Sequence, residues 1–482
     1  MAASFFFYDL ETSGINSRSA RIMQFAGQRT DMDLNPIGEP VNALIKLTPD
    51  VVPEPDAIMI TGITPQSTLV DGYTEADFLQ FFYEEVVQPD TIFMGFNSVR
   101  FDDEFMRFLH YRNFYDPYEW QWQNGCSRWD LLDVVRMTRA LRPEGIEWPF
   151  TTDGKPTNRL ELLTKVNGLD HAHAHDALND VLATIAVAKL IKDKQPKLFQ
   201  HLLDYRNKKT VAPLVESGAP FIYTAGRYPS STLHTTAAVW LHTNSQASAM
   251  VYDLRYDPTQ FMDMTVEELV KVWQYTKDPD ALRLPVKSLK FNHCPAVAPL
   301  GVIKDQTAQD RLELPVTTVA KHLALLKPKQ QAFTDKLVQA VELMDIEREQ
   351  TFLVDNQQTV DERLYDGFFG PGDKQAMQRV RSTKGEGLTE TAFEFSDDRL
   401  KSLLPLYKAR NYPQSLTSEE RAAWDEFCHN QVFAGDQHSK LAKFFKRLAE
   451  LAADEKISDE KKYLLEELQL YGQSIVPADA TE

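Results

Sequence analysis

The sequence predicts an α/β domain, followed by a β-rich domain and then a helical one. Three observations carry this order. Short apolar runs alternate with helical patterns through residues 1–195. Short β-like segments separated by turns dominate residues 196–350. From residue 351 onward, apolar positions recur at helical spacing.

In the first segment, FFFYDL is an apolar run of the kind a buried strand needs, and RIMQFAGQRTD and VNALIKLTP follow as the next two strands, joined through the turn-rich NPIGEP. A helix is expected from Thr74 to Val87, with Thr74 as its N-cap and Pro89 just past its end. TIFMGFN reads as a strand and VRFDDEFMRFLHYR as the helix after it. The Pro-, Gly- and Asp-rich stretch 142–157 reads as a loop. Ala177, Val181, Ile185 and Ala188 recur on one helical face, so 176–192 is a helix that Pro196 ends.

In the second segment AAVWLHT, SAMVYDLR and VKSLKFNHCPAVA are β-like. TVEELVKVWQYT and TTVAKHLALLKPKQQAFTDKLVQAVELM are helical insertions. In the third, SEERAAWDEFCHNQVF and HSKLAKFFKRLAELAADEKIS are the clearest helices, and PADATE is expected to fray.

Composition limits the function. The chain has 482 residues, 43% of them hydrophobic, with no apolar run long enough to span a bilayer. Its N-terminus meets Asp9 and Glu11 after a few apolar residues, unlike a signal peptide, so a cytoplasmic location is expected. The three cysteines, Cys126, Cys294 and Cys428, are isolated and make neither a disulfide framework nor a zinc knuckle. A net charge of −18 argues against a protein that coats nucleic acid indiscriminately. It leaves room for one basic channel, and for carboxylates that hold metal ions beside a phosphate.

Three acidic motifs carry chemistry. Asp9 and Glu11 lie at i and i+2 near a strand end, on one face. Two carboxylates there are unfavourable unless paired or metal-bound. Asp102 and Asp103 follow TIFMGF at a helix start, where capping alone would explain them. In HDALND, His175 and Asp180 are not on one helical face, so His175 belongs to the loop or first turn while Asp180 projects from the helix. Asp176 reads as a capping residue.

In this order, Asp-x-Glu, then Asp, then His-x4-Asp, the acids match the DEDDh exonuclease pattern. ITGITPQ, VRFDDE, YRNFYDPY, SRWDLLDV, ALRPEGI, AHDA and YDGFFG each resemble bacterial exonuclease I. The resemblance implies an RNase H-like exonuclease domain (1–195), an SH3-like β-rich domain with helical insertions (196–350) and a helical C-terminal domain (351–482). It implies processive 3′→5′ degradation of single-stranded DNA to 5′-mononucleotides by a monomer, in DNA repair or recombination. Carried over by motif, Asp9, Glu11, Asp102 and Asp180 would bind two Mg²⁺ ions, with Mn²⁺ able to substitute; Glu11 would also touch substrate. Asp102 rather than Asp103 matches, because it directly follows Phe101. His175 matches the general base and Arg159 a basic, substrate-binding position. The family also binds the C-terminal tail of single-stranded DNA-binding protein; Arg142 matches that pocket, while His201 replaces a common Tyr and Lys304 lies near an expected Arg.

Hard oxygen ligands suit Mg²⁺ or Mn²⁺, and paired ions suit phosphodiester cleavage. An imidazole can take a proton from water at neutral pH. Other features have ordinary explanations. HAHAH, with His171 and His173, lacks the further ligands a tetrahedral zinc site needs. The aromatics of FYDPYEWQWQ fit core packing as well as base stacking. Basic clusters at 206–209, at Lys287 and Lys290, and at 440–447 fit solvated faces; the resemblance raises the first two as phosphate contacts. Two competing functions remain at this level: an exoribonuclease on the same catalytic fold, and an inactive single-strand-binding scaffold.

Overall fold

The computed structural model describes residues 3–169, 176–244, 248–274, 276–278, 280–354, 358–435, 438–454 and 456–475. The chain divides into two compact units. One combines residues 1–127, 172–182 and 358–482; the other combines 128–171 and 183–357.

In the first unit, strands β1 (Ser4–Thr12), β2 (Ile22–Thr30) and β3 (Pro36–Leu44) form an antiparallel meander. Strand β4 (Thr91–Gly95) pairs parallel to β1, from Ser4↔Thr91 to Phe7↔Met94. The apolar run FFFYDL is buried as expected, and Phe6, Tyr8 and Phe25 join Phe78, Phe82, Phe93 and Trp120 in one core. Strand β3 starts at Pro36, ahead of the expected Val41. It lies at the edge of the meander and its first residues are exposed, so Pro36 and Pro40 forfeit no buried hydrogen bond. Thr74 caps the helix Glu75–Phe81 by accepting from the Asp77 amide at 3.1 Å. Its continuation, Phe82–Val86, widens into a π turn.

The C-terminal helices fold back onto these N-terminal elements. Phe108, Tyr111 and Phe114 pack with Leu364, Met377, Leu400 and Tyr407. Met23, Leu47 and Ile58 pack with Leu441, Phe444 and Leu468. Between the two segments lies a buried ion cluster. Asp361 accepts from Arg21 at 2.9 Å and from Arg410 at 2.6 Å, and Arg410 also reaches Asp50 at 2.8 Å. Arg112 binds Glu75 at 2.7 Å, and Glu75 lies 4.0 Å from Arg21.

Strand β5 (Ser127–Asp130) begins at the last residue of the first unit's N-terminal segment. The second unit is built on an antiparallel sheet of β6 (Phe221–Thr224), β7 (Thr235–Thr243), β8 (Ser248–Asp253), β9 (Val286–Lys290) and β10 (Ala296–Pro299). Its order is β10-β6-β7-β8-β9. VKSLKFNHCPAVA thus supplies two strands. The long helical stretch after Pro315 is interrupted at Lys327–Lys329, where Pro328 sits, and resumes as Gln330–Val354. Among the described residues no helix is long and apolar enough to cross a membrane.

Candidate active site

Strand alternation puts Asp9 and Glu11 on one face of β1. Opposite them on β2 stand Ala26 and Gln24. The register shifts between Glu11 and Thr12, a bulge of the kind that re-aims a side chain at a strand end. The helix Ala177–Lys194 supplies Asp180 from its first turn. Its start is fixed by Asp176, which accepts from the Leu178 amide at 3.3 Å and the Asn179 side chain at 3.1 Å. These elements bring carboxylate oxygens of Asp9, Glu11 and Asp180 within 4.8 Å of one another, all half-buried.

The electrostatics follow from that crowding. Burial and the neighbouring Asp180 push the Asp9 carboxyl up to about 8. Burial, Asp9, Asp180 and Asp176 push Glu11 up to about 9. Without a cation the site resists carrying its full negative charge, and a divalent ion removes the conflict. The pH dependence has a definite sign. Both carboxyls are protonated more readily in the fold than in the unfolded chain, where they titrate near 3.8 and 4.5. Their contribution to stability is therefore full below about pH 4 and lost as pH rises to about 8–9. With EDTA present, the melting temperature of this part of the fold should fall between pH 5 and pH 9. Mg²⁺ should restore it, more so at higher pH. Parallel melting curves with and without Mg²⁺ that show no pH-dependent gap would contradict this.

Asp102 is the first residue of the helix Asp102–Arg112 and is 3% exposed, but it stands outside the 4.8 Å group. Its neighbour Asp103 accepts from the Tyr8 hydroxyl at 2.5 Å. His175, like His171 and His173, lies outside the described residues.

The remaining residues singled out from sequence lie in the second unit. The exposed Arg159 precedes the helix Leu160–Val166 and lies 4.0 Å from Glu161. Arg142 follows the helix Leu131–Leu141 and donates to the carbonyls of Leu141 (2.6 Å) and Val302 (3.3 Å). The His201 ring contacts the Val297 carbonyl at 2.9 Å and stacks on Tyr205. Lys304 follows the turn Leu300–Ile303. Arg311 donates at 3.1 Å to the Ala140 carbonyl, two residues before Arg142. As the last residue of the helix Gln306–Arg311, its sequence setting is an ordinary one for a cation.

Lys287 and Lys290 line a cavity of about 840 Å³ together with Arg227, Arg283 and Trp273. Burial and the like charges of Arg227 and Arg283 hold the Lys287 ammonium below its ordinary pKa, with Asp253 opposing them. Glu342 and Asp345 also line the cavity, but with Arg348 its cations outnumber them, in a chain of net charge −18. Of the aromatics in FYDPYEWQWQ, Trp120 is buried in the core and Trp122 is 59% exposed.

Three family models cover most of the chain. The exonuclease model matches residues 6–188, the exonuclease I SH3-like domain 206–342, and the exonuclease I C-terminal domain 358–475. A carboxylate cluster at a sheet end inside an exonuclease domain defines the protein as a nuclease, a phosphodiester hydrolase. Exodeoxyribonuclease I of Haemophilus influenzae is 39% identical over 479 residues, 97% of this chain and 98% of the relative. The solved structure of Escherichia coli exonuclease I in complex with a dA16 oligonucleotide superposes with a TM-score of 0.90 at 36% identity, over 98% of this chain and all of the other. A structure of SSB/exonuclease I in complex with an inhibitor gives a TM-score of 0.87 at 36% identity, over 99% and 100%. The chain belongs to the exonuclease I family. Its fold is accordingly an RNase H-like exonuclease domain with an SH3-like domain and a helical C-terminal domain.

Proposed function

We propose that the protein degrades single-stranded DNA processively from its 3′ end to 5′-mononucleotides, in repair or recombination. The observation that carries this is the convergence of carboxylate oxygens of Asp9, Glu11 and Asp180 within 4.8 Å, where burial and mutual repulsion raise the Asp9 and Glu11 carboxyls. Asp9, Glu11, Asp102 and Asp180 would hold two divalent ions, Mg²⁺ or in its place Mn²⁺. When bound, such ions stabilise charge on the attacking and leaving oxygens. The all-oxygen donor set fits hard cations. His175 takes the proton from the attacking water, Glu11 also orients the terminal nucleotide, and Arg159 binds phosphate. We read the functional domains as 1–195, 196–350 and 351–482.

The relative solved with dA16 is an exonuclease I in complex with a DNA oligonucleotide, which supports the choice of substrate. The cationic cavity at Arg227, Arg283, Lys287 and Lys290 would hold backbone phosphates of such a strand. SSB is solved with exonuclease I, which supports binding of the SSB C-terminal tail, with Arg142 as a contact. The protein is expected to act as a monomer in the cytoplasm.

The test is Mg²⁺-dependent digestion of 3′- and 5′-labelled oligonucleotides, single- and double-stranded, with matched RNA. Release of labelled mononucleotide from the 3′ end of unpaired DNA alone is the expected result. RNA cut equally well, or activity surviving a chelator, would reject the reading. His175→Ala should lower turnover by about 10²- to 10⁴-fold, the range for losing a general base. Single-strand affinity, followed by fluorescence anisotropy, should be retained.

A further inference from the structure

We infer that Tyr8 and Asp103 form a positioning clamp that sets Asp102 relative to Asp9 and Glu11. The inference rests on the reading above, in which those acids hold divalent cations. Tyr8 and Asp9 are consecutive on β1; Asp103 and Asp102 are consecutive in the first turn of the helix Asp102–Arg112. One hydrogen bond, from the Tyr8 hydroxyl to Asp103 Oδ1 at 2.5 Å, therefore joins two backbone segments that each carry a metal-binding acid.

Its location explains why it matters. The ladder between β1 and β4 makes its last pair at Phe7↔Met94. Beyond it the chain leaves the sheet through residues 96–101, where Asn97 takes a left-handed φ of 71°. Asp102 thus stands past the end of the strand pairing that would fix its distance from Asp9. The Tyr8–Asp103 bond lies beyond that last pair and ties β1 to the helix Asp102–Arg112.

The clamp is built to be stiff. Tyr8 and Asp103 are 3% and 2% exposed. A hydroxyl donating to a carboxylate makes a short, strong bond when water is excluded. The Tyr8 ring stacks on Phe25 at 5.9 Å and meets the edge of Trp120 at 6.2 Å, so it has little room to turn. Arg107, one helical turn on, lies in the field of Asp103 and Glu104 and has its guanidinium over the Tyr118 ring at 5.4 Å. That cation balances the buried charge of Asp103. Asp103 consequently acts through its neighbours, and neither it nor Tyr8 has to touch metal or DNA.

The experiment compares Tyr8→Phe, Asp103→Asn, Asp103→Ala and the double variant Tyr8→Phe/Asp103→Ala with the wild type in the full chain. Mn²⁺ binding is measured directly by calorimetry, and kcat and the KM for DNA are measured against Mn²⁺ concentration. Tyr8→Phe and Asp103→Ala should each weaken Mn²⁺ binding by about 10- to 100-fold, the range for losing a partner that orients a metal ligand. The KM for DNA at saturating Mn²⁺ should stay unchanged. The double variant should be no worse than the poorer single one. Asp103→Asn, which keeps a carbonyl acceptor, should recover much of the loss, and Tyr8→Phe supplies the answer if Asp103→Ala does not fold. A lowered melting temperature with a wild-type Mn²⁺ isotherm in Tyr8→Phe would overturn the clamp and leave the bond a core contact. Asp180→Asn serves as reference: unchanged Mn²⁺ binding in that variant would fault the metal reading itself rather than the clamp.

Discussion

Asp180→Asn is expected to cut turnover on single-stranded DNA by about 10²- to 10³-fold, the range for losing one group that stabilises transition-state charge. At the same time it should raise the melting temperature of the metal-free protein. The two effects share one origin. Asp180 lies within 4.8 Å of Asp9 and Glu11, and its charge helps push both of their carboxyls up. A neutral amide of the same shape relieves that repulsion and, in the same stroke, removes a cation ligand. Opposite signs in activity and metal-free stability distinguish a ligand from a structural acid, whose loss lowers both. Turnover on a 3′-labelled oligonucleotide and thermal melting in EDTA test the pair. A variant both less stable and less active in proportion would refute the assignment.

Asp361→Ala should be the most destabilising single change, at about 3–5 kcal/mol. Asp361 is buried and holds two guanidiniums, Arg21 at 2.9 Å and Arg410 at 2.6 Å. Burial pushes its carboxyl up, but Arg410 and Arg21 outweigh that and hold it well below the usual carboxylate range. Removing the anion leaves two buried cations sharing only Asp50 and the more distant Glu75. Because the cluster is shielded from solvent, added salt should restore little. The sign with pH is opposite to that of the active-site acids. A depressed carboxyl contributes stability above about pH 4, its unfolded value being 3.8, and that stability is lost as pH falls. Urea midpoints at pH 7 and about pH 2.5 check this: the variant's deficit should shrink toward acid. A deficit below about 1 kcal/mol at pH 7 would mean the cluster merely breaks even with solvation.

Sequence pattern showed the local parts and missed their meetings. The two-residue period of β1 places Asp9 and Glu11 on one face without any knowledge of the fold. The helical period around Ala177 and Val181 places Asp180 on a helix in the same way. That these two elements converge depends on long-range packing, and only the order of motifs hinted at it. The start of β3 was misplaced because Pro36, Gly38 and Pro40 read as a turn, although an exposed edge strand tolerates all three. The π turn after Phe81 has no pattern of its own, since its residues continue a helical run. Asp361, Arg21 and Arg410 each look like ordinary surface charges in the sequence; their burial arises only when distant segments close on them. Tyr8 read as one more apolar residue of a buried run, which hid its hydroxyl's partner at Asp103.

The first unit is assembled mainly from stretches that lie far apart along the chain, 1–127 and 358–482, with all of the second unit's residues between them. On a ribosome adding about 5–20 residues per second, the N-terminal half of that unit waits roughly 20–70 s for the whole of its complement. Through that interval Phe108, Tyr111 and Phe114 lack Leu364, Met377 and Tyr407, and Arg21 lacks Asp361. A nascent chain therefore presents sticky apolar surface to the translation machinery's chaperones. A message broken before codon 358 would yield a product for proteolysis rather than an enzyme. The unit that carries the carboxylate cluster is therefore closed only after residues 358–482 have been added.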